Sequence, residues 1–159
     1  MLGWLENSRL AVWIRDELWG WPLALTLHAL GTALVVGFVL IIGFRLFGLF
    51  RMIPYPVLNR LFPAVWTGLG LQVLSGFILW MAKPTQYVGD AAFVLKVLLI
   101  VLGIVLTRTL QKALERESVS LGTTPAVRSP LAVRLGAMTV LVWCAVLVAG
   151  RLTAHLGAL

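Results

Sequence analysis

The sequence predicts an all-α fold: an integral membrane antiparallel four-helix bundle with an N-terminal interfacial helix. Three observations predict it. Sixty per cent of the 159 residues are hydrophobic, 12% are charged and the mean hydropathy is +0.98, an apolar surplus beyond what a soluble core of this size hides. Four segments, residues 22–44, 63–82, 91–111 and 131–151, supply the run of about 20 mostly apolar residues that a membrane-crossing helix needs. Lys and Arg outside those segments accumulate on alternate loops. The four spans fill residues 1–159 as a single transmembrane domain.

Residues 2–19 mix Trp4, Trp13 and Trp19 with Glu6, Arg9, Arg15, Asp16 and Glu17. A signal peptide has a basic start and a clean apolar core, so this stretch reads instead as a helix lying in the headgroup layer. Leu2, Leu5, Leu10, Trp13 and Ile14 fall near one helical stripe, and the Trp rings suit the membrane boundary.

The first span contains "LALTLHALGTALVVG" at 23–37. His28 is a polar side chain in a run otherwise fit for hydrocarbon, and it needs a partner or a ligand to offset its desolvation. Ala24, Gly31, Thr32 and Val35 share its face, a small-residue surface that admits a flat group or another helix. Pro54 and Pro56 interrupt the chain after this span. The second span carries a comparable stripe, Gly68, Gln72, Ser75 and Gly76, of the kind that ordinarily forms a packing seam.

"KPTQYVGD" at 83–90 reads as a tight turn. The third span holds Lys96 and is expected to run on as a helix to about Glu117, because "RTLQKALERE" consists of strong helix formers. "SVSLGTTPAVRSP" at 118–130 reads as a polar linker. The fourth span carries Cys144, the single cysteine, which excludes an intrachain disulfide and reads as a buried space-filling thiol. Arg151 ends this span, with His155 at i+4 on the same face if the helix continues.

Orientation follows from the basic residues. Arg45, Arg51, Arg60, Arg108, Lys112, Arg116, Arg128 and Arg134 lie at one side, and Arg9, Arg15, Lys83 and Arg151 at the other. That imbalance places both termini outside and the basic loops in the cytoplasm. The net charge of +7 is then a topology signal and an attraction to anionic lipid. No basic run interleaved with aromatics points to nucleic acid.

With this topology His28, Lys96, Arg151 and His155 share the outer layer. Each also has a simpler explanation. His28 would bond a neighbouring Thr or carbonyl, Lys96 would snorkel to headgroups, Arg151 would anchor a helix end and His155 would sit in an exposed tail. Their common depth is what the separate explanations leave over.

"LTLHALGTALVVG", "LQVLSGFILWMAKPTQYV", "AAFVLKVLLIVLG" and "LVWCAVLVAGR" together resemble an uncharacterised family of small bacterial four-helix membrane proteins, classed as a domain of unknown function. More distantly, a first-helix histidine followed by Gly and a third-helix F-x-x-K pattern are similar to the copper-resistance D family and to HemJ-type protoporphyrinogen oxidases. The first resemblance implies a fold; the others imply copper or haem. His28 matches the first-helix histidine of the haem-linked relatives and Lys96 their third-helix lysine. The longer histidine-containing segments of HemJ-type proteins are absent from this chain, and Met1, Met52, Met81 and Met138 are scattered rather than clustered for a soft metal.

The expectation is a protein of the bacterial inner membrane with both termini periplasmic and an outer-leaflet pocket for haem b. His28 would ligate iron, and His155 would be a second axial ligand if the last helix bends over the pocket. The small faces carrying Gly31, Thr32 and Gln72 would accept the macrocycle, and Lys96 and Arg151 would neutralise propionates. Membrane lipids, and either quinone or the subunits of a membrane complex, are the expected partners, in electron transfer or haem handling. The competing expectation is a non-catalytic accessory or assembly subunit of a larger complex; copper passage ranks last.

Overall fold

Each apolar segment lies within one long helix of the structure, a computed structural model that describes residues 3–87, 90–120 and 129–156. In chain order the elements are α1 (Gly3–Glu6), α2 (Arg9–Asp16), α3 (Gly20–Phe47), α4 (Tyr55–Asn59), α5 (Phe62–Ala82), α6 (Pro84–Tyr87), α7 (Ala91–Ser120) and α8 (Pro130–Leu156). No strand occurs among the described residues. Four helices, α3, α5, α7 and α8, are long and apolar enough to cross a membrane.

Local chemistry sets the helix ends. Ser8 caps α2, its Oγ accepting the Ala11 N–H at 3.2 Å, a cap whose loss typically costs about 1 kcal/mol. Gly20 opens α3 where the chain doubles back: a Cβ there would lie 2.6 Å from the Trp13 carbonyl oxygen and 2.7 Å from Ile14 Cα. That fold-back seats Ile14 against Ala24 and Ala82, so α2 covers one end of the α3/α5 pair.

The first span runs three residues past its expected end at 44 and stops at Gly48, ahead of Pro54 and Pro56. Gly48 adopts φ 99°, a left-handed conformation open to glycine, and donates its N–H to the Arg45 carbonyl at 3.1 Å, while Leu49 N–H reaches the Phe44 carbonyl at 2.9 Å. These bonds satisfy carbonyls that the helix end would otherwise leave bare. Pro63 stands in the first turn of α5, where a missing N–H costs nothing. Asp90 caps α7 by accepting the Ala92 N–H at 2.9 Å. Burial, and secondarily the neighbouring Asp90 carboxylate, pushes the Tyr87 phenol above its usual pKa. The helical extension expected to Glu117 is present and reaches Ser120.

Helices in lipid gain little from burying apolar area, so close backbone approach and interhelical hydrogen bonds decide how they pair. Glycine makes the approach at each seam. Gly31 of α3 meets Gly68 and Gln72 of α5, Gly136 of α8 meets Leu46 of α3, and Gly103 of α7 meets the Trp143 ring of α8. Trp143 also donates from Nε1 to Thr107 Oγ1 at 3.0 Å, and Thr107 in turn donates to the Gly103 carbonyl at 2.7 Å, so a fully buried indole N–H has its partner. Around these seams Val35, Val39, Ile42, Phe62, Val65 and Leu110 form the buried core.

Arg45, counted above as a loop charge, lies inside α3 and is buried. Its Nε donates to the Ile53 carbonyl at 2.6 Å and its guanidinium stacks 4.5 Å from the Tyr55 ring centroid. A planar delocalised cation tolerates this burial where an ammonium does not, and the contact ties the α3–α4 connection back onto α3.

Candidate functional site

The polar residues of the first two spans come together. Spacing i, i+4, i+7 on α3 (His28, Thr32, Val35) faces the same spacing on α5 (Gly68, Gln72, Ser75), with 28 opposite 75, 32 opposite 72 and 35 beside 68. His28 Nδ1 lies 3.1 Å from Ser75 Oγ, and its Nε2 lies 3.3 Å from Gln72 Nε2. Thr32 Oγ1 is 2.6 Å from Gln72 Oε1 and 2.8 Å from the His28 carbonyl oxygen. Ser75 Oγ is 2.6 Å from the Leu71 carbonyl oxygen.

Two proton arrangements satisfy this set. In the first, Thr32 donates to Gln72 Oε1, Gln72 donates to His28 Nε2, His28 donates from Nδ1 to Ser75, and Ser75 donates to the Leu71 carbonyl. In the second, the Gln72 amide is turned over: Thr32 donates to the His28 carbonyl, Gln72 donates to Thr32, His28 donates from Nε2 to Gln72, and Ser75 donates to His28 Nδ1. An amide and an imidazole each permit both orientations. Either way, both ring nitrogens of His28 are engaged by α5.

Glycines frame this clasp. A Cβ at Gly76 would stand 3.2 Å from His28 Cε1, and one at Gly31 would stand 2.8 Å from the Gln72 backbone nitrogen. The small faces of the first two spans therefore meet each other, with no width between them even for a methyl group at Gly31. A porphyrin slot between α3 and α5 would require this seam to open, and iron at Nε2 would have to displace Gln72. As packed, the residues do not fit a haem at this seam.

Lys96 and Arg151 stand apart from the clasp but at the same end of the molecule. Lys96 is partly buried on α7 and lies against α8, where a Cβ at Gly150 would be 3.5 Å from its Cε and 3.6 Å from its Nζ. Arg151 is exposed on α8 one residue further on. Among the described residues neither cation has an ion-pair or hydrogen-bond partner. The side chain of His155 lies outside the described residues, and among the described residues no group of three or more His, Cys, Asp or Glu is placed to hold a metal ion.

No family model, characterised protein or solved structure matches the chain.

Several polar contacts had no reading in the sequence. Ser75 belongs to the small-residue stripe of the second span, and its i+7 spacing from Gly68, which mirrors that of Val35 from His28, is the one sequence signal for its contact with His28. The Trp66 Nε1 donation to Gln111 Oε1 at 3.0 Å and the Trp143–Thr107 bond join residues 45 and 36 positions apart. No periodicity within one helix carries such pairings.

Proposed function

We propose that the chain is a multi-pass protein of the bacterial inner membrane, an antiparallel four-helix bundle with both termini periplasmic and α2 in the outer interface, serving as a non-catalytic accessory or assembly subunit of a larger membrane complex. The observation that supports this reading is the use made of the polar groups. His28, Thr32, Gln72 and Ser75 are taken up in fastening α3 to α5. On α7, by contrast, Val94, Leu98, Val101 and Val105 form a ridge at i, i+4, i+7 and i+11 whose members are all more than half exposed. Such a ridge suits a neighbouring transmembrane helix, with lipid covering the rest of the apolar surface.

The opposite numerical order of the contacting residues supports the antiparallel arrangement, and the excess of Lys and Arg on the α3–α5 and α7–α8 connections and the helix ends that flank them supports the orientation. Exposed Leu10, Trp13 and Trp19 beside Arg9 support an interfacial place for α2.

A second reading, haem b held by His28 for electron transfer with quinone or for haem handling, is favoured by one observation. When Ser75 accepts from Nδ1, Nε2 is the acceptor nitrogen of the ring, the tautomer of a ligating imidazole with outer-shell support, and iron there would take the place that Gln72 holds in the packed seam. The absorption spectrum of detergent-purified protein from haem-replete cells separates the two. The subunit reading expects no Soret band, and migration in mild detergent above the monomer mass that Val101→Trp reduces. A Soret band abolished by His28→Ala would replace it with the haem reading.

A further inference from the structure

Lys96 and Arg151 pose the question that the clasp leaves open. Lys96 on α7 and Arg151 on α8 have no ion-pair or hydrogen-bond partner among the described residues, and the Asp90 carboxylate is engaged in capping α7. The bare Cα of Gly150 lets the Lys96 stem lie close along α8. The Lys96 ammonium reaches to 3.6 Å from where a Cβ at Gly150 would stand, next in the chain to Arg151.

An open recess of about 390 Å³ lies on α8, lined by Leu147, Val148, Arg151 and Leu152. Its floor is aliphatic and its one charged lining residue is a guanidinium. Leu147 and Val148 lie about one turn deeper in α8 than Arg151 and Leu152. A recess of aliphatic side chains that also presents a cation matches a molecule with a hydrocarbon chain and a negative headgroup.

We infer that this end of α7 and α8 binds one anionic phospholipid, its phosphate held between Lys96 and Arg151 and one acyl chain lying in the Leu147–Leu152 recess. A phosphate takes two parallel N–H donations from a guanidinium and a point-charge contact from an ammonium, so the two cations complement each other. A zwitterionic lipid brings its own cation to the same place and loses much of this attraction. Selectivity for net negative charge is therefore the signature of the site. The inference goes beyond the subunit reading and does not depend on it.

Native mass spectrometry of the detergent-solubilised full chain, given equal amounts of phosphatidylglycerol and phosphatidylcholine with identical chains, tests it. Wild type is expected to carry the phosphatidylglycerol adduct at several times the level of the other. Lys96→Gln combined with Arg151→Gln should bring the two adducts to parity, and Lys96→Arg should keep the preference. Should the double variant lose its helical circular dichroism, Arg151→Gln and Leu147→Trp, which remove the charge of the recess and fill it separately, should each lower the phosphatidylglycerol adduct. Parity in the wild type, or an undiminished preference in folded variants, overturns the inference.

Discussion

His28 Nδ1 and Ser75 Oγ, 47 positions apart, meet at 3.1 Å, and this contact with its Gln72 neighbour sets the register of α3 on α5. A slip of one residue along either helix would rotate the His28 imidazole and the Gln72 amide away from each other into hydrocarbon, where both would lose their partners, while Ser75 would keep only the Leu71 carbonyl of its own helix. The clasp thus gives a seam of small residues, which would tolerate several registers, a single preferred one.

The coupling across this contact is measurable. A double-mutant cycle of His28→Ala and Ser75→Ala, followed by circular dichroism during unfolding in mixed micelles, should give a favourable interaction energy of about 0.6 kcal/mol, the average for polar contacts between transmembrane helices. Gln72→Leu removes partners from both His28 and Thr32 and should destabilise by roughly 1–3 kcal/mol. Strict additivity of the His28 and Ser75 substitutions would show that the two side chains do not interact.

Gly31 and Gly70 should respond oppositely to the same substitution. A Cβ at Gly31 meets the backbone of Gln72 and Gly68, which yields only if the helices move apart, whereas a Cβ at Gly70 meets nothing within 4 Å. Gly31→Ala is expected to cost about 1–3 kcal/mol by overpacking. Gly70→Ala should be neutral or stabilising by up to about 1 kcal/mol through helix propensity. Thermal unfolding of the two variants side by side checks the contrast, and equal stability would contradict the tight α3–α5 approach.

Topology is tested at two exposed positions, Met52 on the α3–α4 connection and Leu18 between α2 and α3. In a Cys144→Ala background, Leu18→Cys should react with a membrane-impermeant maleimide in intact cells, while Met52→Cys should react only after the inner membrane is opened. The expectation rests on eight basic residues against four across the membrane. The reverse pattern of labelling would invert the protein and move the Lys96–Arg151 site to the cytoplasmic leaflet.

What the sequence alone determined is the part of the fold that depends on one helix at a time. Length and apolarity define the four long helices, because a backbone in hydrocarbon must satisfy its own hydrogen bonds and about 20 residues suffice to cross. Turn chemistry reads locally at Pro63, which opens α5, whereas Pro84–Tyr87, read as part of a tight turn, forms the short helix α6. The conspicuous polar residues were legible too, since His28, Gln72 and Lys96 each stand out against an apolar run.

Only the tertiary structure decided what those residues face. Small-residue stripes on the first two spans are compatible with a flat ligand between them or with direct contact, and the difference is a matter of a few ångströms in helix separation that no single-helix pattern records. The packing brings Gly31 onto Gly68 and Gln72, engages both nitrogens of His28 with α5, and leaves Lys96 on the far pair of helices with no partner among the described residues. Arg45 makes the same point from the other end of α3: its charge was visible in the sequence, but its burial depends on the Ile53 carbonyl and the Tyr55 ring, which reach it only when the chain turns at Gly48. The physical reason is common to all three. Desolvation of a polar group is decided by which partner another segment delivers, and that is a property of how helices meet rather than of how each one forms.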